Sequence, residues 1–546
     1  MNVLLLNLTR FGDLLQSAAA VRALAHGKKG EKNRVGIICL ENFTAGAELL
    51  ADVAAIYPLP AAKIMNLCNA GRTAGTHDSQ AGNPASWLKG LGCLHEWVEN
   101  VQADFMPDAV CNLSPSSASS LLGRLFALDK HFEGFALDNQ GEARATNLWA
   151  GFILGASTAR EASPFHIVDM FRKAAQPDSI HADAALTPVA TTAVNAMRER
   201  LFSLCPAQPK GFVALQLGAS ADIRRWPVKS FAALGDALWK EYRFLPILLG
   251  TKGELPLSDE YETHAQESFI NLIGQTDLTE LAATLTLSSL CVSNDTGTLH
   301  LASGLAVPSI GLFLATAQPW DTAPYAVGSY SLEPDLPCHP CNFGAACPNG
   351  YACHTAIRME TVLALASTKL QKKSWDAANF AYTETTLGSR VWESASDKYG
   401  FANIISLSGH ENQSRTQWMR LQRHLYRQFF DKDPKGEFAP TPYTEPVSFH
   451  SETGINLGRA CGEILALFDV LLQQAEMLSQ NPLPIIKDRF FRTWQRLASL
   501  LQAQPLFSVI SFSWQLEALR QENMEDTIVL ARQYRNFFAF LRPFLP

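Results

Sequence analysis

Short apolar runs alternate with helical patterns in this chain, and the alternation occurs twice. That constrains the fold more than any other feature. Val3 to Leu8 reads as a strand and Leu14 to Ala25 as a helix. Arg34 to Leu40 and Asp108 to Leu113 are further strands, the second followed by a helix from about Ala118 to Leu128. The pattern restarts near Gly211. Phe212 to Leu217 and Phe244 to Leu249 are strands around a helix at Val228 to Tyr242, and a helix from Leu278 leads into a strand at Ser289 to Ser293. Strand–helix alternation implies parallel sheets covered on both faces. The chain is therefore α/β. Two such units, separated by a Pro- and Ala-rich stretch from Ala175 to Pro209, predict two Rossmann-like domains facing a cleft, over residues 1–180 and 181–370.

Beyond Lys372 the strand signal fades. In "RTQWMRLQRHLYRQFF", Trp418, Leu421, Leu425 and Phe429 share one helical stripe, while Arg420, Arg423 and Arg427 lie mostly off it. Helical patterns follow at Leu457 to Leu478, Ile485 to Gln502 and Trp514 to Leu541, which predicts a helical extension over 371–546. The arginine face reads first as solvated and second as a peripheral membrane contact. The Gly- and Asn-containing stretch from Ala61 to Pro84 reads as a surface insertion.

Of the 546 residues, 18% are charged, and the formal net charge is −7, which excludes a general nucleic-acid binder. No window approaches the roughly 20 apolar residues of a membrane helix. The first residues lack a positive n-region, so the expected location is cytoplasmic. Isolated cysteines such as Cys39, Cys111, Cys205 and Cys291 sit in apolar settings and read as buried reduced thiols.

Three stretches suggest chemistry. In "VSNDTGTLHLASG", a strand breaks into small polar residues before a helix. Rossmann-like sheets bind ligands at the carboxyl ends of strands, and N–H groups at a helix start attract anions. Thr296, Gly297 and Thr298 are thus candidates to hold phosphate, and Gly297 permits close backbone approach. A helix terminus contributes only about 0.3–1 kcal/mol, whereas micromolar affinity requires about 8 kcal/mol, so a cation must assist. "LQLGASADIRRWPVKSF" supplies one: Arg224 and Arg225 follow a strand end and suit a diphosphate, the alternative being a solvated pair beside a packed Trp226. At the N-terminus, "LNLTRFGDLL" sets Arg10, Gly12 and Asp13 in the first strand–helix turn, where Asp13 is either a helix cap or a general base.

Taken together and in order, these stretches with "HIVDMF" and "NLIGQTDLTELAATL" resemble glycosyltransferase family 9, the ADP-heptose:lipopolysaccharide heptosyltransferases, over roughly Met1 to Ile357. The resemblance implies a GT-B architecture of two Rossmann-like domains, and inverting transfer without a catalytic metal or other cofactor. Asp13 matches the family's general base and Arg224 its donor-phosphate contact. Asp295, Thr296, Gly297 and His300 match the donor-binding loop and helix start, and Thr276 a position near the nucleobase. Glu254 falls near a ribose-binding acid. His300 reads equally as a core residue packing helix on sheet. Thr298 replaces the family's usual Pro or Met, and Phe313-Leu314-Ala315-Thr316 replaces a Phe-Gly-Pro-Thr run, so the donor sugar stays open. The implied partners are a nucleotide-sugar donor, ADP-heptose, and a lipopolysaccharide-core acceptor. A protein acceptor is the alternative, and a non-catalytic scaffold on a transferase fold ranks below both.

"CHPCNFGAACPNGYACH" gathers Cys338, Cys341, Cys347 and Cys353 between residues 338 and 354. Four thiolates suit a structural zinc or iron ion with no open catalytic position, and some protein-modifying relatives of the family carry a four-cysteine iron site here. Reduced thiols or a single disulfide are the alternative.

Overall fold

The structure is a computed structural model. It describes all residues except 28–31, 71–83, 128–129, 139, 159–162, 180–182, 372–387, 446 and 448–451. Two sheets carry the fold. The first has the order β3-β2-β1-β4-β5-β6, with β1 Asn2–Leu6, β2 Arg34–Leu40, β3 Val53–Leu59, β4 Ala109–Asn112, β5 His131–Leu137 and β6 Ala143–Ala145. All pairings are parallel except the last, β5 with β6. The second has the order β14-β13-β12-β11-β10-β7-β8-β9. It comprises β7 Gly211–Gln216, β8 Phe244–Leu249, β9 Ile270–Asn271, β10 Ser288–Asn294, β11 Ser309–Leu312, β12 Tyr330–Pro334, β13 Ser389–Ser396 and β14 Ala402–Ser406. Leu4, Leu5 and Leu6 of β1 and Val213, Ala214 and Leu215 of β7 are inaccessible to solvent, as expected of parallel strands covered on both faces.

Strand order reverses direction at β1/β4 in the first sheet and at β7/β10 in the second. These are the switch points where open α/β sheets hold ligands. The turns after β1, β7 and β10 therefore open where the sequence placed its candidate residues.

The structure differs from the sequence reading in four places. Residues beyond 372 are not wholly helical, because β13 and β14 add an antiparallel hairpin to the second sheet. The Ala61–Pro84 stretch is not all loop: Ala61–Asn69 is a helix, and a 22-residue helix, Pro84–Phe105, follows; residues 71–83 of that expected insertion lie outside the described ones. The last helical pattern splits into Ser508–Ala518 and Met524–Leu541. The arginines of helix Ser414–Phe430 are not a solvated or lipid-facing row. Arg423 is buried, pairing with Asp397 at 2.8 Å and donating to the Pro164 carbonyl at 3.1 Å, and Arg427 lies 3.4 Å over the Tyr399 ring. Among the described residues, no helix is long and apolar enough to cross a membrane.

The C-terminal helices share one apolar core with the first sheet's layer. Trp149 and Phe152 pack with Tyr426, Phe430 and Phe537 in a continuous aromatic cluster. Helix Leu148–Thr158 meets helix Ser508–Ala518 at Gly151 and Gly155: a Cβ on Gly151 would lie 2.7 Å from Leu516, and one on Gly155 3.3 Å from Phe512. Small residues let the two helices approach closely.

A buried polar hub ties the two halves together. Asp169, in helix Ile167–Ala175 beside the first sheet, pairs with Arg172 at 3.2 Å. It also accepts from the Tyr325 hydroxyl at 3.0 Å and from the Ala402 N–H of β14 at 2.8 Å. Burial pushes its carboxyl pKa up, and the Arg172 guanidinium opposes that. Asp169→Ala would leave Arg172 buried with its carboxylate partner gone, a change that typically costs about 3–5 kcal/mol. The expected result is a urea midpoint lowered in proportion, with the slope of the transition preserved.

Candidate active site

The cleft between the sheets holds a cavity of about 780 Å³. It is lined by the turns after β1, β7, β8 and β10 together with Thr276, Leu278 and Phe343. Asp13, Arg224, Thr276, Asp295, Thr296, Gly297 and His300 all contribute to its wall, so the structure brings these sequence-predicted residues together.

Asp13 is the third residue of helix Phe11–Gln16, whose cap is Arg10, so Asp13 is not the helix cap. Fully packed Asn7, just past β1, donates to the Asp13 carbonyl at 3.2 Å and fixes the first turn. Burial raises the Asp13 carboxyl above the ordinary Asp value; His300 pulls it down, and the Asp295 carboxylate adds to the rise.

Helix Phe11–Gln16 meets helix Gly297–Gly304 across the cleft through glycines. A Cβ on Gly297 would sit 2.5 Å from the Phe11 ring and 3.4 Å from the Gly12 nitrogen. A Cβ on Gly12 would sit 3.0 Å from the His300 ring and 3.3 Å from the Gly297 Cα. No side chain fits between the two helix starts, so Asp13 and the Asp295–Gly297 loop are held together by backbone.

On the far wall, Arg224 donates to Ser220 Oγ at 2.8 Å and forms an ion pair with Asp295. Asp295 also faces His300 Nε2 at 3.6 Å. Arg225 pairs with Asp222 instead, so the two adjacent arginines part ways. Asn294 clamps the two turns: its amide donates to the Leu217 and Gly218 carbonyls at 2.9 and 3.1 Å, and its oxygen accepts from Trp226 N at 2.9 Å. Thr296 caps helix Gly297–Gly304 without a side-chain bond to its first-turn N–H groups, and its hydroxyl meets Ser293 Oγ at 3.1 Å. The Thr298 hydroxyl is engaged by Gln216 at 3.0 Å rather than offered as a free phosphate donor.

Glu254 occupies the space left by two glycines, Gly218 and Gly250, and accepts from Thr251 N at 2.6 Å. Lys252 and Phe343 are among the wall residues that escaped the sequence reading. Lys252 follows β8 in "LLGTKGE" and joins Arg10 and Arg224 as a third cation in the cavity wall; a lysine just past a strand's carboxyl end was the available signal. Phe343, 60% exposed at the rim, comes from the cysteine-rich loop, and nothing in that loop's spacing pointed to the cleft.

The structure does not bring out the expected four-cysteine metal site. Among the described residues, no group of three or more His, Cys, Asp or Glu side chains converges to hold an ion. Cys338, Cys341, Cys347 and Cys353 are free thiols. Burial raises the Cys341 and Cys353 thiol pKa values, and the neighbouring cysteines add to the rise. Cys341 donates to the Cys338 carbonyl at 3.6 Å, Cys347 accepts from Tyr351 N at 3.3 Å, and buried Cys353 opens a short helix against the second sheet's core. Neighbouring His339 is likewise engaged, pairing with buried Glu333 at 3.1 Å.

A fold of two Rossmann-like halves, with a carboxylate from one and an arginine and small-residue loop from the other, is the GT-B architecture of glycosyltransferases. Residues 157–352 match the family model described as Glycosyltransferase family 9 (heptosyltransferase). Over 89 residues the chain is 34% identical to lipooligosaccharide heptosyltransferase 2 of Haemophilus ducreyi, an alignment spanning 16% of this chain and a quarter (25%) of that relative. The crystal structure of the glycosyl transferase family 9 from Veillonella parvula DSM 2008 superposes with a TM-score of 0.52 at 17% identity, covering 68% of this chain and 98% of that one, and shows the shared fold. The E. coli ADP-heptose lps heptosyltransferase II structure aligns with a TM-score of 0.49 at 16% identity, over 68% of this chain and 99% of its own.

Asp13 yields a stability test. An unfolded Asp ionises near 3.9. The folded-state pKa is raised, so above both values the ionised form opposes folding, and this effect fades as pH falls through them. Asp13→Asn removes that opposition. Its thermal midpoint at pH 7 is expected to equal or exceed that of the wild type, with the difference shrinking towards pH 3.

Proposed function

We propose that this chain is an inverting glycosyltransferase that moves heptose from ADP-heptose to a sugar hydroxyl of a lipopolysaccharide core. The observation that carries the reading is the joining, in one cavity, of the Asp13 carboxylate with the Arg224–Asp295–Thr296–Gly297 wall. The family match and the curated heptosyltransferase relative support the sugar.

The chemistry divides across the cleft. Asp13, ionised, takes the proton of the acceptor hydroxyl. That oxygen attacks the anomeric carbon of the donor from the face opposite the diphosphate. The bond from the anomeric carbon to the phosphate oxygen breaks with its electron pair, and ADP leaves. The leaving diphosphate gains negative charge, and Arg224 is the cation placed to receive it, aided by Lys252 and the N–H groups at the start of helix Gly297–Gly304. In the ligand-free geometry Asp295 holds Arg224. A diphosphate would take over that guanidinium, leaving Asp295 to His300 and to the sugar hydroxyls. Glu254, whose side chain fills the space between the turns after β7 and β8, would meet a ribose, and Thr276 the nucleobase edge. No step requires a metal.

A general base contributes about 10²–10⁴-fold. Asp13→Asn is therefore expected to lower kcat for transfer from ADP-heptose to a truncated core lipopolysaccharide by about that factor, read as ADP release and product mass. Absence of transfer by the wild type would overturn the assignment. Because burial raises the Asp13 pKa, the acid limb of the kcat/KM profile should lie above the ordinary Asp range and disappear in Asp13→Asn.

A further inference from the structure

The glycine contact between helices Phe11–Gln16 and Gly297–Gly304 divides the cleft. On the side away from Arg224 lies a second cavity of about 300 Å³, walled mainly by Leu15, Val168, Leu186, Gly304, Tyr325 and Val327. Gln16 and His300 stand in the wall of both cavities. Gln16 lies one helical turn beyond Asp13 on the same face. It is only 4% exposed, and its Nε2 has no hydrogen-bond partner among the described residues.

A buried amide N–H without a partner costs about 1–3 kcal/mol, and native proteins rarely leave one unmet. An apolar side chain of similar size, such as Leu or Met, would occupy the position without that cost. The amide is therefore accounted for best by an oxygen that arrives with a ligand. The second cavity narrows the ligand's chemistry. Among the described residues its lining contains no Lys or Arg, and its one carboxylate, Asp183, is already paired with Arg22, so it offers a phosphate or a carboxylate no Lys or Arg partner. Its walls suit the C–H face of a sugar ring. We infer that Gln16 reads the acceptor: its side-chain amide donates to a hydroxyl or ring oxygen of an uncharged acceptor sugar whose reacting hydroxyl faces Asp13, and the smaller cavity receives the rest of that sugar unit. His300 forms the shared wall between the two substrates. This inference rests on the transferase reading above and adds to it the residue and cavity that select the acceptor.

The test compares wild type, Gln16→Glu and Gln16→Met in steady-state transfer from ADP-heptose to truncated core lipopolysaccharides, one ending in a neutral sugar and one in a carboxylate-bearing sugar. Glu keeps the shape but removes the donor; Met fills the space and keeps the fold if Glu does not. The expected result is an acceptor KM raised about five- to tenfold for the neutral-ended acceptor in both variants, as for one lost hydrogen bond. The KM for ADP-heptose and the calorimetric affinity for ADP should stay within about twofold of wild type. A purely structural role for Gln16 would move both constants or neither. An unchanged acceptor KM, or transfer confined to the carboxylate-ended acceptor, overturns this inference and leaves the transferase reading standing. No transfer by the wild type to either acceptor, despite ADP binding, overturns the transferase reading and this inference with it.

Discussion

The close approach of Gly12 to Gly297 is the contact on which the site depends. Each glycine lies in the first turn of a helix at the carboxyl end of a strand, one in each sheet. Neither could carry a Cβ without displacing the other helix or its Phe11 and His300 side chains. Two helix starts in backbone contact place the first-turn carboxylate of one helix beside the anion-attracting N–H groups of the other. That juxtaposition sets the electrostatics. Asp13 is partly desolvated and sits near a second carboxylate, Asp295, while Arg224 neutralises Asp295 and His300 opposes the resulting rise at Asp13.

The surrounding architecture holds this contact in register. Asn294, the last residue of β10, ties the segment around Arg224 to the loop that begins at Asp295. Behind the cleft, Asp169 links the first sheet's layer to Tyr325 and β14, and Glu333 gathers Arg390, Arg415 and His339. Burial alone would push the Glu333 carboxyl up, but its two arginines and His339 hold it well below the usual range, so it stays charged. The C-terminal helices complete this frame. Asp431, just past helix Ser414–Phe430, accepts from Trp149 Nε1 at 2.7 Å and from Lys173 at 2.8 Å, which anchors the extension to the first domain rather than leaving it as a separate module.

Much of this was legible in the sequence, for identifiable reasons. Strands buried on both faces are continuous apolar runs, so β2 and β8 coincide with their expected limits. Small polar residues after β10 stand out against such runs, as does an arginine pair after β7. What escaped notice lacked a local signal. β13, Ser-Arg-Val-Trp-Glu-Ser-Ala-Ser, interleaves polar residues with few apolar ones, and the edge strand β14 has only five residues, too short for a clear pattern. Gln16 looks like any helix residue until its burial is known. The buried pairing of Arg423 depends on Asp397 and Pro164, far away in the sequence. The cysteine spacing fixes reach but not direction, and nothing in it signalled that the same loop sends Phe343 to the rim of the cleft.

The central claim is that the two walls of the cleft have separate tasks, with the nucleotide diphosphate held by the Arg224 wall and the acceptor proton taken by Asp13. Calorimetric titration of ADP into wild type, Arg224→Ala and Asp13→Asn tests it most directly. Loss of a charge-assisted hydrogen bond costs about 1.5–3 kcal/mol. The account predicts an ADP affinity weakened about 10- to 100-fold in Arg224→Ala and essentially unchanged in Asp13→Asn. Equal weakening in both variants, or no ADP binding by the wild type, would contradict it.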